Sequence, residues 1–199
     1  VYPYDSATGN VTELEMDVTT VIDVNSVNFY NAAYPGGSLL TNAVPNTTVY
    51  IRSVVSDPFG SFDITGAKID IINPNLSTVV SGAAMTQVAD SGAATKTYQY
   101  QYTIPSAGPV GFWTANITST EGTEGTIIDT NFGLLKVVLP DIIMLKTSVT
   151  EYDPVNGISA DAKAIPGADI LFTIQATNTG EGAVDNNTTV VTDPIPENT

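Results

Sequence analysis

Apolar and polar residues alternate along this chain in short runs, and each run closes on Gly, Pro, Asn or Asp. No helix-length window carries a sustained 3.6-residue period, whereas period-2 alternation recurs throughout, which predicts strands joined by turns. The first run, Val11–Val24, alternates Leu14, Met16 and Val18 with Glu13, Glu15 and Asp17, giving one apolar and one acidic face. Further strands are predicted at Val27–Tyr30, Thr48–Ser56, Ala67–Ile72, Val79–Val80, Ala84–Val88, Thr95–Ile104, Val110–Thr118 and Thr126–Val138. The breaks between them include Tyr34–Gly37, Asp57-Pro58-Phe59-Gly60, Asn73-Pro74-Asn75 and a turn at Glu121–Gly125, all built from turn-forming residues. Beyond Pro140, strands are predicted at Asp141–Thr150, Asp169–Asn178 and Thr188–Asp193.

Val27–Val138 thus holds about seven strands, the number and length of an immunoglobulin-like sandwich. The segment after it holds three or four, fewer than such a sandwich needs. The expected fold class is all-β: tandem immunoglobulin-like antiparallel β-sandwiches, the second incomplete. Residues 1–26 form an N-terminal strand or linker, 27–138 the first sandwich and 139–199 the partial second. Leu14, Met16 and Val18 are candidates for strand exchange, since an open sheet edge invites a strand from a neighbour.

Composition narrows the chemistry. The chain has 199 residues, neither His nor Cys, and 6 Lys and Arg against 21 Asp and Glu, a net charge of −15. Without His or Cys, Ser–His and Cys–His catalysis and the usual zinc ligand sets are excluded. The acidic balance opposes nucleic-acid binding and repels anionic membranes, while favouring solubility and attracting cations. No apolar run is long enough to span a bilayer, and Val137–Leu145 carries Pro140 and Asp141. The sequence opens on Val1 rather than Met and contains nothing resembling a signal peptide, as expected of a processed form or a fragment.

Glu13, Glu15 and Asp17 share a solvated strand face, which supplies neither the pocket nor the apolar surround of a general acid–base pair. No catalytic residue is assigned and the chain is expected not to be an enzyme. Calcium, with its preference for six to eight oxygens, is the one ion the acidic loops would take. The candidates are Asp57, Asp63, Glu121 and Glu124 in the first domain, and Asp141, Asp153, Asn156 and Asp161 at the junction. None follows an EF-hand spacing, and Asp before Pro and Asn before Gly also serve as ordinary turn formers. Sequons place candidate glycosylation at Asn10, Asn46, Asn75, Asn116, Asn186 and Asn187, relevant only in a host that N-glycosylates. Trp113 reads as a core residue. Tyr98, Tyr100 and Tyr102 share one face of a strand, either as an aromatic ladder or as a sugar-stacking platform.

Lys163–Thr199 resembles the repeat domain DUF11. The likeness rests on Pro166-Gly167, on Ala176-Thr177-Asn178-Thr179-Gly180 closing an alternating strand, and on Thr192-Asp193-Pro194-Ile195-Pro196. It covers the chain from about Ile142. These repeats resemble immunoglobulin-like sandwiches and occur in large secreted and cell-surface proteins of bacteria and archaea. The resemblance implies an extracellular, non-catalytic structural subunit of a stalk, matrix or filament, self-associating or bound to other surface proteins. The family pattern continues for three or four strands beyond Pro196, so either the chain is cut short or the missing strands come from a neighbour by strand complementation. An adhesin or carbohydrate-binding module with a glycan partner, and an accessory domain of a secreted enzyme, are the alternatives.

Overall fold

A computed structural model of the chain describes residues 21–122, 128–185 and 188–194. It is all-β, with no α-helix among the described residues. Two five-stranded sheets and one two-stranded sheet account for twelve strands. The chain clusters into two compact units: one takes in the chain up to Leu40, Thr48–Tyr102 and Trp113–Leu134, the other Thr41–Thr47, Thr103–Phe112 and the chain from Leu135 on. No described helix is long and apolar enough to cross a membrane.

The first sheet runs β2 (Leu39–Leu40), β1 (Asp23–Tyr30), β4 (Thr48–Ser56), β8 (Thr95–Thr103), β7 (Thr86–Asp90). The second runs β3 (Asn42–Ala43), β10 (Ile128–Val137), β9 (Gly111–Glu121), β5 (Ile64–Ile72), β6 (Thr78–Ala84). Pairing is antiparallel for β1 with β2 and β4, for β5 with β6 and β9, and for β7 with β8. The short β3 lies parallel to β10. The two sheets make a β-sandwich, and alternate residues of their strands supply its core: Val49, Ile51 and Val55 from β4, Ile69 and Ile71 from β5, and Trp113, Ala115 and Ile117 from β9 are all buried. Val, Ile and Trp at every second position provide the half-buried pleated surface that such strands favour.

A bulge adjusts β1 to this core. In β1 the register with β4 shifts between Val24 and Ser26, a bulge that leaves Val24, Val27 and Phe29 all buried despite their odd spacing. Beside the bulge the outward-facing backbone groups of Val24 are taken by β10 side chains: Val24 N–H donates to Asp129 Oδ2 at 2.7 Å and Asn131 Nδ2 donates to the Val24 carbonyl at 2.7 Å. Beside them, a Cβ on Gly133 would lie 2.5 Å from the Val27 carbonyl oxygen, so only glycine allows β10 this close to β1. Arg52, on β4 and buried, donates through Nη2 to the carbonyls of Ala32 and Gly36 and through Nε to Gln99 Oε1, with its guanidinium 4.1 Å from the Tyr30 ring centre. It thereby fixes the loop carrying Tyr34–Gly37. Tyr98 is buried, and the Tyr102 ring packs 5.9 Å from that of Trp113.

The second unit holds a two-stranded antiparallel sheet of β11 (Ile142–Tyr152) and β12 (Asp169–Asn178), paired from Ile142↔Asn178 to Tyr152↔Asp169. Its apolar residues do not segregate. Ile142, Met144, Ile170 and Phe172 share one face by register, Ile143, Leu145, Val149 and Leu171 the other, and all eight are exposed. The motif after β12 is built around Asn178. Its Oδ1 accepts from Asp141 N–H at 3.1 Å and from Gly180 N–H at 3.0 Å, while its Nδ2 donates to the Gly182 carbonyl at 2.8 Å. A side chain on Gly180 or Gly182 would overlap the backbone of Leu139–Asp141, which explains the glycines there. Thr188–Asp193, expected as a strand, has no strand structure; β-branched residues favour extended backbone, but a strand exists only where a partner accepts its hydrogen bonds. The acidic run with Leu14, Met16 and Val18 lies outside the described residues.

Candidate metal centre

The connection between the two sheets of the sandwich runs from Ser56 at the end of β4 to Ile64 at the start of β5. Its turn residues shape it locally. Asp57 folds back on the chain, its Oδ1 accepting from Phe59 N–H at 2.7 Å. Gly60 takes φ 139°, where a Cβ would strike the Phe62 ring, and a 3-10 turn at Ser61–Asp63 follows. The loop is anchored to the β7–β8 turn by Asp57 N–H to Ala94 O (2.9 Å), Ser61 N–H to Ala93 O (3.3 Å) and Ser61 Oγ to Asp90 Oδ1 (2.6 Å). On the far side, Gly122 N–H donates to Asp63 O at 2.7 Å, joining the loop to the end of β9.

Those anchors bring three carboxylates together. One oxygen from each of Asp57, Asp63 and Glu121 lies within 4.8 Å of the others. Asp57 is 0% exposed and Glu121 1% exposed. Asp57 Oδ2 and both Glu121 carboxylate oxygens are buried without a hydrogen-bond partner. Glu121 occupies an inward position by strand parity, continuing the buried series Trp113, Ala115, Ile117 and Ser119. Buried carboxylates are ordinarily paired, since an isolated charge in such surroundings is heavily penalised. Among the described residues no Lys or Arg makes a salt bridge to these three; the nearby Lys96 instead donates to Ile64 O at 2.8 Å and lies 4.0 Å from Asp90. The donor set is all oxygen and strongly anionic, which suits a hard cation.

The structure thus unites three of the four acidic candidates of the first domain; the fourth, Glu124, lies outside the described residues. The junction residues Asp141, Asp153, Asn156 and Asp161 do not form such a group. Asp153 is buried with its acceptors occupied: Oδ1 takes the N–H of Val155 (2.7 Å) and Asn156 (2.6 Å), and Oδ2 takes Asn156 Nδ2 (3.0 Å) and Lys163 N–H. These bonds, those from Asn156 foremost, hold its carboxyl well below the usual carboxylate range. It therefore organises the loop after β11. Asp141 Oδ2 accepts from Thr179 Oγ1 at 3.2 Å, and Asp161 is exposed.

Of the sequons, Asn46 and Asn75 are exposed in turns, and Asn46 has the positive φ of 67° that Asn tolerates. Asn116 lies mid-strand on β9, paired with Asp70, and is half-buried. Asn10, Asn186 and Asn187 lie outside the described residues. No protein-family model matches the chain.

Proposed function

We propose that this chain is a non-catalytic structural subunit of an extracellular surface assembly, built from immunoglobulin-like modules and joined to its neighbours through β-strands. The observation that carries this reading is the β11–β12 sheet, whose large apolar side chains are exposed on both faces. An isolated two-stranded sheet is marginal in water, and further strands packed on or paired with it are what would stabilise it. Apolar surface of this kind marks a contact with other protein. The DUF11-like motifs after β12 and the acidic, Cys-free composition fit a secreted surface module of the same kind.

The occupant we assign is a strand of a second copy, from the alternating run with Leu14, Met16 and Val18, whose apolar face matches the open sheet. A head-to-tail contact of that sort need not close and grows into a filament. Negative-stain imaging and sedimentation of the full chain test it. Concentration-dependent filaments that vanish on deleting residues 1–24, or on Ile143→Asp with Leu171→Asp, are expected. A chain that stays monomeric at every concentration, or that assembles equally well without residues 1–24, overturns strand complementation. The glycan-platform alternative has less in its favour, because Tyr98 is buried and Tyr102 packs on Trp113.

A further inference from the structure

We infer that Asp57, Asp63 and Glu121 form a calcium site that clamps one end of the sandwich. Glu121 is an acidic residue on the inward face of β9. Ser119, two positions earlier on the same inward face, satisfies its hydroxyl by donating to the Gly66 carbonyl at 2.8 Å. Glu121 has no such partner for either carboxylate oxygen, nor has Asp57 for Oδ2. All three oxygens are buried at the spot where Asp63 brings a third carboxylate. Two fully buried acids and a half-buried one, clustered within 4.8 Å and with three buried oxygens lacking a partner, are a destabilising arrangement unless a cation joins them.

Among hard cations, calcium suits carboxylates drawn from a loop and a strand end better than magnesium, which demands near-ideal octahedral geometry. Three carboxylates, each with an oxygen within 4.8 Å of the others, can share one hard cation. Calcium also tolerates irregular geometry and completes its shell with water and backbone carbonyls. The absence of His and Cys from the chain disfavours zinc and copper at this site.

The position gives the ion a structural task. Asp57 follows β4 of one sheet, Asp63 precedes β5 of the other, and Glu121 ends β9 beside β5. One cation would therefore tie both sheets at the crossover between them. Because the ion binds the folded chain and not the unfolded one, occupancy raises stability with ion concentration.

The test is thermal unfolding of the full chain after chelator treatment, with calcium, magnesium or EDTA, alongside calorimetric titration with calcium chloride. Saturating calcium is expected to raise the midpoint by on the order of 5–10 °C over EDTA, magnesium by less, with affinity between about 10 µM and 1 mM. Glu121→Gln should abolish the calcium shift and melt above wild type in EDTA, because it keeps the shape while removing a buried charge. Asp63→Asn at the half-exposed rim should weaken binding at least tenfold, and Asp161→Asn should leave it unchanged. Equal midpoints in EDTA and in about 10 mM calcium, well above the affinity expected here, would overturn the site. So would a Glu121→Gln chain that retains the wild-type shift.

Discussion

Arg52 shows how much a single side chain holds in this molecule. Its planar fork satisfies two loop carbonyls and Gln99 at once and lies over the Tyr30 ring, a combination that the point charge of lysine cannot reproduce. Arg52→Ala should cost about 2–3 kcal/mol and Arg52→Lys should recover only part of it, read as shifts of the urea midpoint at unchanged slope. Asp153 and Asp90 predict the acid limb. Asp153 is held low by hydrogen bonds from Asn156, Lys163 and Val155, and Asp90 by those from Ser61 and Gly92. Both therefore bind a proton less readily folded than unfolded. Their contribution is complete above the unfolded carboxyl value of about 3.9 and is lost as the pH falls below it. Circular dichroism melts from pH 6 downward (about two units above that value) should show the midpoint dropping near pH 4 and below, and Asp153→Asn should flatten its share of that drop. At the alkaline end, burial pushes the Tyr98 and Tyr102 hydroxyls up. Those groups resist ionisation in the fold, and the stability they lend persists below about pH 10 and is lost as the pH rises through their raised values.

At the scale of strands, β10 is the element with the least room. Gly133→Ala should push it off Val27 and cost about 1–3 kcal/mol, checked by chemical denaturation. The strands legible from alternation were those with a full pairing partner and an uninterrupted pleat. β4 and β12 run over the residues expected, Thr48–Ser56 and Asp169–Asn178. β1 starts at Asp23 rather than Val27, because the bulge breaks the parity that sequence periodicity relies on. The two-residue β2 and β3 are too short to carry a period at all. The metal candidates were legible as residue types, while their grouping was not: Asp57 and Asp63 become neighbours of Glu121 only through the pairing of β5 with β9. One signal did lie in the sequence. Counting by twos from Trp113 along an apolar series reaches Glu121 on the inward side, where a solvated turn residue would have no reason to be buried.

For the molecule as a whole, the two units differ in how their apolar residues are used. The sandwich places Ile51, Ile69, Ile71 and Ile117 in a closed core, whereas β11 and β12 leave theirs open on both faces. A dye such as ANS, which reports accessible apolar surface, should fluoresce with the dilute native chain, and Ile143→Asp with Leu171→Asp, both on one face of the sheet, should lower that signal in part without lowering the melting point of the sandwich. The net charge of −15 opposes association of so apolar a surface by mutual repulsion, and added salt should promote association by screening it.

The loop between Asp57 and Asp63 also carries Phe59 and Phe62, 52% and 75% exposed, on a backbone turned back by the Asp57 carboxylate, which accepts from Phe59 N–H. Chymotrypsin cuts after phenylalanine, and it cuts loops only when they can open into its cleft. With a cation drawing Asp57 and Asp63 together, that opening is suppressed; without one, three mutually repelling acids favour it. Nicking at Phe59 and Phe62 would thus serve as a clock of ion occupancy, slow in calcium and fast in chelator, and readable on a gel without any melting experiment.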